Sequence, residues 1–272
     1  MNETTFDGAT VAWTDTGSGA AALLVHAGGF GAWFEPVADL LPGRVVRMLR
    51  AGYTGGPPPT GPIEIGTHAA HAAALLDALG TGPVTVVSHS SGSVIALQLA
   101  LDRPDLVDRL VLCEPPLIDA LLDPADLAQV QAELGPVLGA ALGAAAAGDV
   151  PGAFDAFMRA VCGPGYRAVL VDVLGPDGVA RAERDAAFFL ADEIPAVGRW
   201  QPGALSAITA PVLLVRGSAS PGPTHRLVER LAAVLPDATV ATVDGANHLL
   251  PLSHPEAVAE IVAGRAVGLG TA

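Results

Sequence analysis

The segment Gly82-Pro83-Val84-Thr85-Val86-Val87-Ser88-His89-Ser90-Ser91-Gly92 passes from a β-branched run straight into a cluster of small residues. Gly82-Pro83 bounds the run in front, so Val84–Ser88 reads as a buried strand. Ser91–Leu101 behind it is helical in pattern and stops near Pro104. A strand that turns into a helix over small residues holds the residue at the turn in a tight backbone. There a neighbouring Cβ would clash. Such a turn lifts the Ser90 hydroxyl clear of the sheet and aims the Ser91 N–H at a reacting carbonyl. Ser90 is therefore a candidate nucleophile. A Ser-rich turn with no chemistry is the plain alternative.

Outward from this segment, strands and helices alternate. Val11–Thr14, Leu23–His26 and Arg44–Leu49 read as strands before it, and a Pro-rich loop, Pro57–Pro62, leads to a helix at His68–Leu79 closed by Gly80. Leu110–Cys113 is the next strand. The rhythm then stops. Leu117–Leu205 is rich in Ala and Gly, with helix candidates at Ala128–Leu142 and Arg181–Ala191 and no strand series. It resumes with strand Val212–Arg216, helix Thr224–Val234, strand Thr239–Val243 and helix Pro255–Gly264. Alternation of this kind predicts an α/β fold, a mostly parallel sheet flanked by helices, with residues 1–116 and 206–272 as core and 117–205 as an inserted helical cap. Sites in such sheets lie at the carboxyl ends of strands.

His248 stands in Asp244-Gly245-Ala246-Asn247-His248, between the last strand and the last helix. A neutral imidazole there can take the Ser90 proton and return it to a leaving group. The order, Ser first and His after the final strand, is the one a strand-end triad needs. The acid is less direct. The loop after Val212–Arg216 reads Gly217-Ser218-Ala219-Ser220-Pro221 and holds no carboxylate. Glu114, at the end of the strand Leu110–Cys113 and stiffened by Pro115-Pro116, is the best candidate to orient His248, with Asp244 as the fallback. An oxyanion needs two backbone donors: Ser91 N–H, and Gly28 or, failing it, Gly29 in the loop His26-Ala27-Gly28-Gly29-Phe30.

Together His26-Ala27-Gly28-Gly29, Arg50-Ala51-Gly52-Tyr53, Ser88-His89-Ser90-Ser91-Gly92 and Gly245-Ala246-Asn247-His248 resemble the α/β-hydrolase superfamily over essentially the whole chain. Cys113-Glu114-Pro115-Pro116, the acid-free loop 217–221 and Ser253-His254-Pro255 are similar to the zearalenone lactonase group. That resemblance implies the α/β-hydrolase fold, Ser90, Glu114 and His248 as a triad, and Gly28 and Ser91 as oxyanion donors. The cap resembles that group poorly, and the cap normally chooses the substrate. The expected activity is cleavage of an ester or lactone through an acyl-enzyme. C–C cleavage or biosynthetic acyl transfer or cyclisation would use the same residues. A non-catalytic binding protein on the same fold is the reading from another class.

Composition narrows the partners. The formal net charge is −14, and all 14 basic residues are Arg. Without a basic run the chain is a poor ligand for nucleic acid or anionic membranes. A small-molecule substrate is the expected partner. The oligomeric state stays open, with a homodimer one option. The N-terminus shows no basic and apolar leader pattern, so a cytoplasmic location is expected. No cofactor or metal is expected. Gly17-Ser18-Gly19 lacks a third Gly and precedes a strand, and His68 and His71 lack a third ligand. Cys113 reads as a packed strand residue. Phe154, Phe157, Met158, Phe188, Phe189 and Trp200 either line a pocket over Ser90 or form the cap's own core.

Overall fold

Leu23, Leu24, Val86, Val87, Leu112 and Leu214 have no exposed surface, as expected of strands covered on both faces. They lie at the centre of an eight-stranded sheet in the computed structural model, which describes residues 1–54, 61–116 and 118–264. The strands are β1 (Asn2–Phe6), β2 (Ala9–Thr16), β3 (Ala21–Val25), β4 (Arg44–Leu49), β5 (Val84–His89), β6 (Val107–Cys113), β7 (Val212–Gly217) and β8 (Ala238–Val243). Their order is β1-β2-β4-β3-β5-β6-β7-β8. The pairs β1–β2 and β2–β4 are antiparallel and the others parallel. The expected mostly parallel sheet is thus present. Strand β1 had no sequence signal: Asn2-Glu3-Thr4-Thr5-Phe6 is a polar edge strand with little to bury.

Helices α1 (Glu35–Ala38), α2 (Ile65–Leu79) and α3 (Ser91–Asp102) follow β3, β4 and β5. Between β6 and β7 the chain runs through α4 (Pro124–Ala146), α5 (Val150–Cys162), α6 (Tyr166–Phe188) and α7 (Ile194–Arg199). Helix α6 is broken at Gly175, whose φ is 69° and which precedes Pro176. Between α6 and α7, residues Phe189–Glu193 widen into a π-turn. Helices α8 (Gly222–Val234), α9 (Leu250–Ser253) and α10 (Pro255–Val262) complete the chain. The two helix candidates expected between β6 and β7 fall within α4 and on the α6–π-turn junction; α5 and α7 add helices beyond them. Most of Pro57–Pro62, and Leu117, lie outside the described residues.

The strand order sets where a site can form. From β3 the chain moves outward to β4 on one side, and from β5 it moves to β6 on the other. Adjacent strands whose connections leave in opposite directions open a crevice at their carboxyl ends. Gly92 lets α3 start against that crevice. A Cβ there would stand 2.5 Å from the Val25 carbonyl oxygen and 2.7 Å from that of His26.

Candidate active site

Ser90 has φ 50° and ψ −126°, a backbone that side-chain-bearing residues rarely adopt. Only three non-glycine residues among those described have positive φ: Asp7, Ser90 and Glu114. Two of the three candidate triad residues are therefore held in strained backbone, as often happens where a site fixes side-chain direction. The ladder holds them there. Ser90 N–H donates to the Cys113 carbonyl at 3.0 Å, and Glu114 N–H donates to that of Val215 at 2.8 Å.

Ser90, Glu114 and His248 all border one cavity of about 460 Å³. Glu114 is fully buried. Its Oε1 accepts from the Gly217 N–H and the Ser220 hydroxyl, both at 2.7 Å, and its Oε2 faces His248 Nδ1 at 3.4 Å. Burial pushes the Glu114 carboxyl up, but the hydrogen bond and charge of His248, with the donors of Gly217 and Ser220, outweigh it and hold the pKa below the ordinary value. No hydrogen bond joins Ser90 to His248 among the described residues. Such bonds are often long before substrate binds.

The loop carrying His248 is pinned from two sides. His89 Nε2–H donates to the His248 carbonyl at 2.9 Å, and the two rings lie 4.6 Å apart. Burial first, and then the charge of His248, lower the His89 pKa well below its ordinary value. From the end of α5, the Cys162 carbonyl accepts from Asn247 Nδ2 at 2.9 Å. Asp244, the fallback acid, does not join this group. It is exposed and accepts from the Ser218 hydroxyl at 3.0 Å.

Ser220 was not singled out from the sequence. It stands in the loop that lacks a carboxylate and uses that position to hold Glu114. The signal lay in the vacancy itself: a buried acid on one strand needs donors from the next. Ser220→Ala removes one hydrogen bond to the ionised carboxylate, so the Glu114 pKa rises toward its ordinary value and the acid limb of the stability profile moves to higher pH. Turnover at neutral pH is expected to fall roughly tenfold. An unshifted stability profile would rule out this role. Ionised Glu114 stabilises the fold fully above the ordinary value of 4.5, and this is lost as pH falls through its lower folded value.

The loop from His26 to Phe30 is held by several hydrogen bonds. His26 Nδ1–H donates to the Ala27 carbonyl at 2.7 Å, while His26 Nε2 accepts the Arg50 N–H at 3.1 Å. The Gly28 carbonyl accepts from Trp33 Nε1 at 2.9 Å. Gly29, the alternative oxyanion donor, gives its N–H to the Tyr53 hydroxyl at 3.3 Å. Gly28 N–H, the donor expected to face substrate, instead meets Ser91 Oγ at 2.7 Å.

Behind the loop a polar network joins the π-turn between α6 and α7 to the segment after β4. Arg50 Nη2 donates to Glu193 Oε1 at 2.9 Å, both side chains being fully buried. The Tyr53 hydroxyl donates to Glu193 Oε2, and the Arg50 guanidinium lies 4.9 Å over the Tyr53 ring. Glu193→Ala leaves a buried cation unpaired and is expected to cost about 3–5 kcal/mol of stability. Arg50→Met with Glu193→Leu should cost less than Glu193→Ala alone in denaturant unfolding. If the double variant is the weaker, the pair itself is net stabilising.

The side chains expected to line a pocket or to form a separate core within 117–205 do not split that way: two reach the cavity, and three contact residues of 1–116. Phe157 and Phe189 border the cavity. Phe154 packs edge-on to Phe30 and Tyr166, Phe188 to Tyr53, and Trp200 donates to Gln98. Met158 is buried. His68 and His71 are buried on α2, with their rings 6.4 Å apart. No group of three or more His, Cys, Asp or Glu that could hold a metal occurs among the described residues. None of the described helices is long and apolar enough to cross a membrane.

Comparison with known proteins agrees with this architecture. The chain is 40% identical over 92 residues to lipase LipV of Mycobacterium tuberculosis, spanning 29% of this chain and 35% of the lipase. It is 31% identical over 209 residues to polyketide synthase ThaQ of Burkholderia thailandensis, spanning 73% of this chain and 9% of the synthase. The chain thus spans only a small part of either relative's length. The solved structure of the enol-lactonase from Burkholderia xenovorans superposes with a TM-score of 0.79 at 18% identity, covering 97% of this chain and 99% of that one. The model of the alpha/beta hydrolase family matches residues 22–261, and the chain belongs to that family.

Proposed function

We propose that this chain is a serine hydrolase that cleaves a carboxylic ester or lactone of a small, mainly apolar substrate. Ser90 attacks the carbonyl, His248 takes its proton and passes it to the leaving group, and Glu114 orients the imidazole. An acyl-enzyme forms on Ser90, and water, deprotonated by His248, releases it. One observation carries the reading: Ser90, strained at φ 50°, borders the same cavity as a His248 whose Nδ1 faces the Glu114 carboxylate. The similarity to the zearalenone lactonase group supports a Glu acid at this strand end. We further propose that residues 117–205 act as the cap that chooses substrate.

The cavity supports an apolar, uncharged substrate. Val130, Leu134 and Leu138 of α4, Phe157 of α5 and Phe189 of the π-turn border it, and at about 460 Å³ it has the size of a small-molecule site. Among its described lining residues only His248 can carry positive charge, whereas Asp119, Glu133 and Glu114 are acidic. A second reading, acyl transfer or cyclisation of an activated acyl group, is favoured by the match to a segment of a polyketide synthase. Turnover of p-nitrophenyl esters in ¹⁸O-water separates the two. The hydrolase reading predicts a burst of p-nitrophenol and one labelled oxygen in the acid product. Products without water-derived oxygen would overturn it.

A further inference from the structure

The π-turn between α6 and α7 sets its first residue, Phe189, against the loop that follows β3. A Cβ built on Gly28 would stand 2.1 Å from the Phe189 ring and 3.2 Å from Glu193 Oε1. The ring thus fills the place that a side chain of residue 28 would take. Its neighbours hold it there. Phe157 meets it edge-on, with ring centroids 4.9 Å apart. Glu193, at the other end of the turn, is tied to Arg50 Nη2 at 2.9 Å and to the Tyr53 hydroxyl. Phe188, the residue before it, packs edge-on to Tyr53 and lies so close to Gly52 that a Cβ there would stand 2.5 Å from the ring. A π-turn winds more widely than an α-helical one and is frequent at functional sites. Here Phe188, Phe189, Leu190 and Glu193 are all buried, so the backbone that carries the ring is closely packed.

Phe189 also borders the cavity that Ser90 and His248 share. The sheet order fixes its side of that cavity. Strand β3 lies on one side of β5, the strand that leads to Ser90. Strands β6, β7 and β8, which lead to Glu114 and the His248 loop, lie on the other. A carbonyl attacked by Ser90 turns its oxygen to the backbone donors. Its leaving group must reach His248, which protonates it. The acyl substituent is left with the β3 side, where the Phe189 ring stands. A ring fixed there limits width rather than length. A CH₂ beside the carbonyl can pass along it. A further carbon branch on that atom would be driven into the ring or into the Gly28 backbone beneath.

We propose that Phe189 is a specificity-determining residue: it selects acyl groups that are unbranched at the carbon beside the carbonyl, whether in a simple ester or in a lactone. This rests on Ser90 as nucleophile and His248 as the acid for the leaving group.

The test is kcat/KM for p-nitrophenyl butyrate, isobutyrate and pivalate, with fluorophosphonate labelling, for wild type, Phe189→Leu and Phe189→Ala. The esters share a leaving group, and their intrinsic reactivity does not change between variants. The isobutyrate-to-butyrate ratio, compared between variants, therefore reads the wall alone. Phe189→Ala is expected to raise that ratio about 10-fold or more, the effect of one carbon in a close-fitting apolar pocket, and the pivalate-to-butyrate ratio further. Phe189→Leu, which keeps an apolar side chain but loses the ring, should raise both ratios less. A merely structural role would slow all the esters together and leave the ratios unmoved. If Phe189→Ala does not fold, Phe189→Leu decides. Unmoved ratios in the variants that fold would overturn the inference while wild type still labels and turns over. A wild type that neither labels nor cleaves any of the esters would instead sink the hydrolase reading itself.

Discussion

Ser90→Ala is expected to lower the turnover of an activated ester by about 10⁴-fold or more, with the fold intact. The size follows from the chemistry. Without Oγ no acyl-enzyme can form, and only the oxyanion donors and the cavity remain to assist water. The structure predicts little change in stability. The backbone strain at φ 50° belongs to the turn and stays with Ala. No side-chain hydrogen bond of Ser90 occurs among the described residues. Unchanged thermal unfolding with turnover lost would place the effect in the chemistry. Turnover retained within tenfold would mean that another nucleophile serves the cavity.

Glu114→Gln is expected to cost about 10³–10⁴-fold in kcat. An amide cannot stabilise the imidazolium that forms on His248, and its NH₂ group can impose the wrong tautomer. The surroundings deepen the effect, since Oε1 lies between two donors, the Gly217 N–H and the Ser220 hydroxyl. The amide must therefore leave one donor short or turn its NH₂ toward His248. Kinetics near wild type for Glu114→Gln, paired with a large loss for an Asp244 variant, would reassign the acid. The exposure of Asp244 and its bond to Ser218 argue against that outcome.

The fold was legible because its signals are local. Val84–His89 is β-branched and apolar, and the change to small residues at Ser88–Gly92 marks the turn without reference to the rest of the chain. Ser90 and His248 stood out for the same reason, each at a strand end in a short motif. What escaped was built from residues far apart. Glu193 lies 143 residues from Arg50, and Ser220 lies 106 residues from Glu114. Neither carries a pattern in its own neighbourhood. The bond from Gly28 N–H to the Ser91 hydroxyl likewise joins residues 63 apart. Strand β1 was missed through its polar composition, since an edge strand can be held by main-chain pairing with little burial.

The most direct measurement is fluorophosphonate labelling read by intact mass, on wild type, Ser90→Ala and Glu114→Ala. A serine activated by His248 and Glu114 predicts one adduct on wild type, none on Ser90→Ala, and greatly slowed labelling of Glu114→Ala. An unlabelled wild type that still binds a small apolar ester in its cavity, or an adduct that persists in Ser90→Ala, would contradict the account.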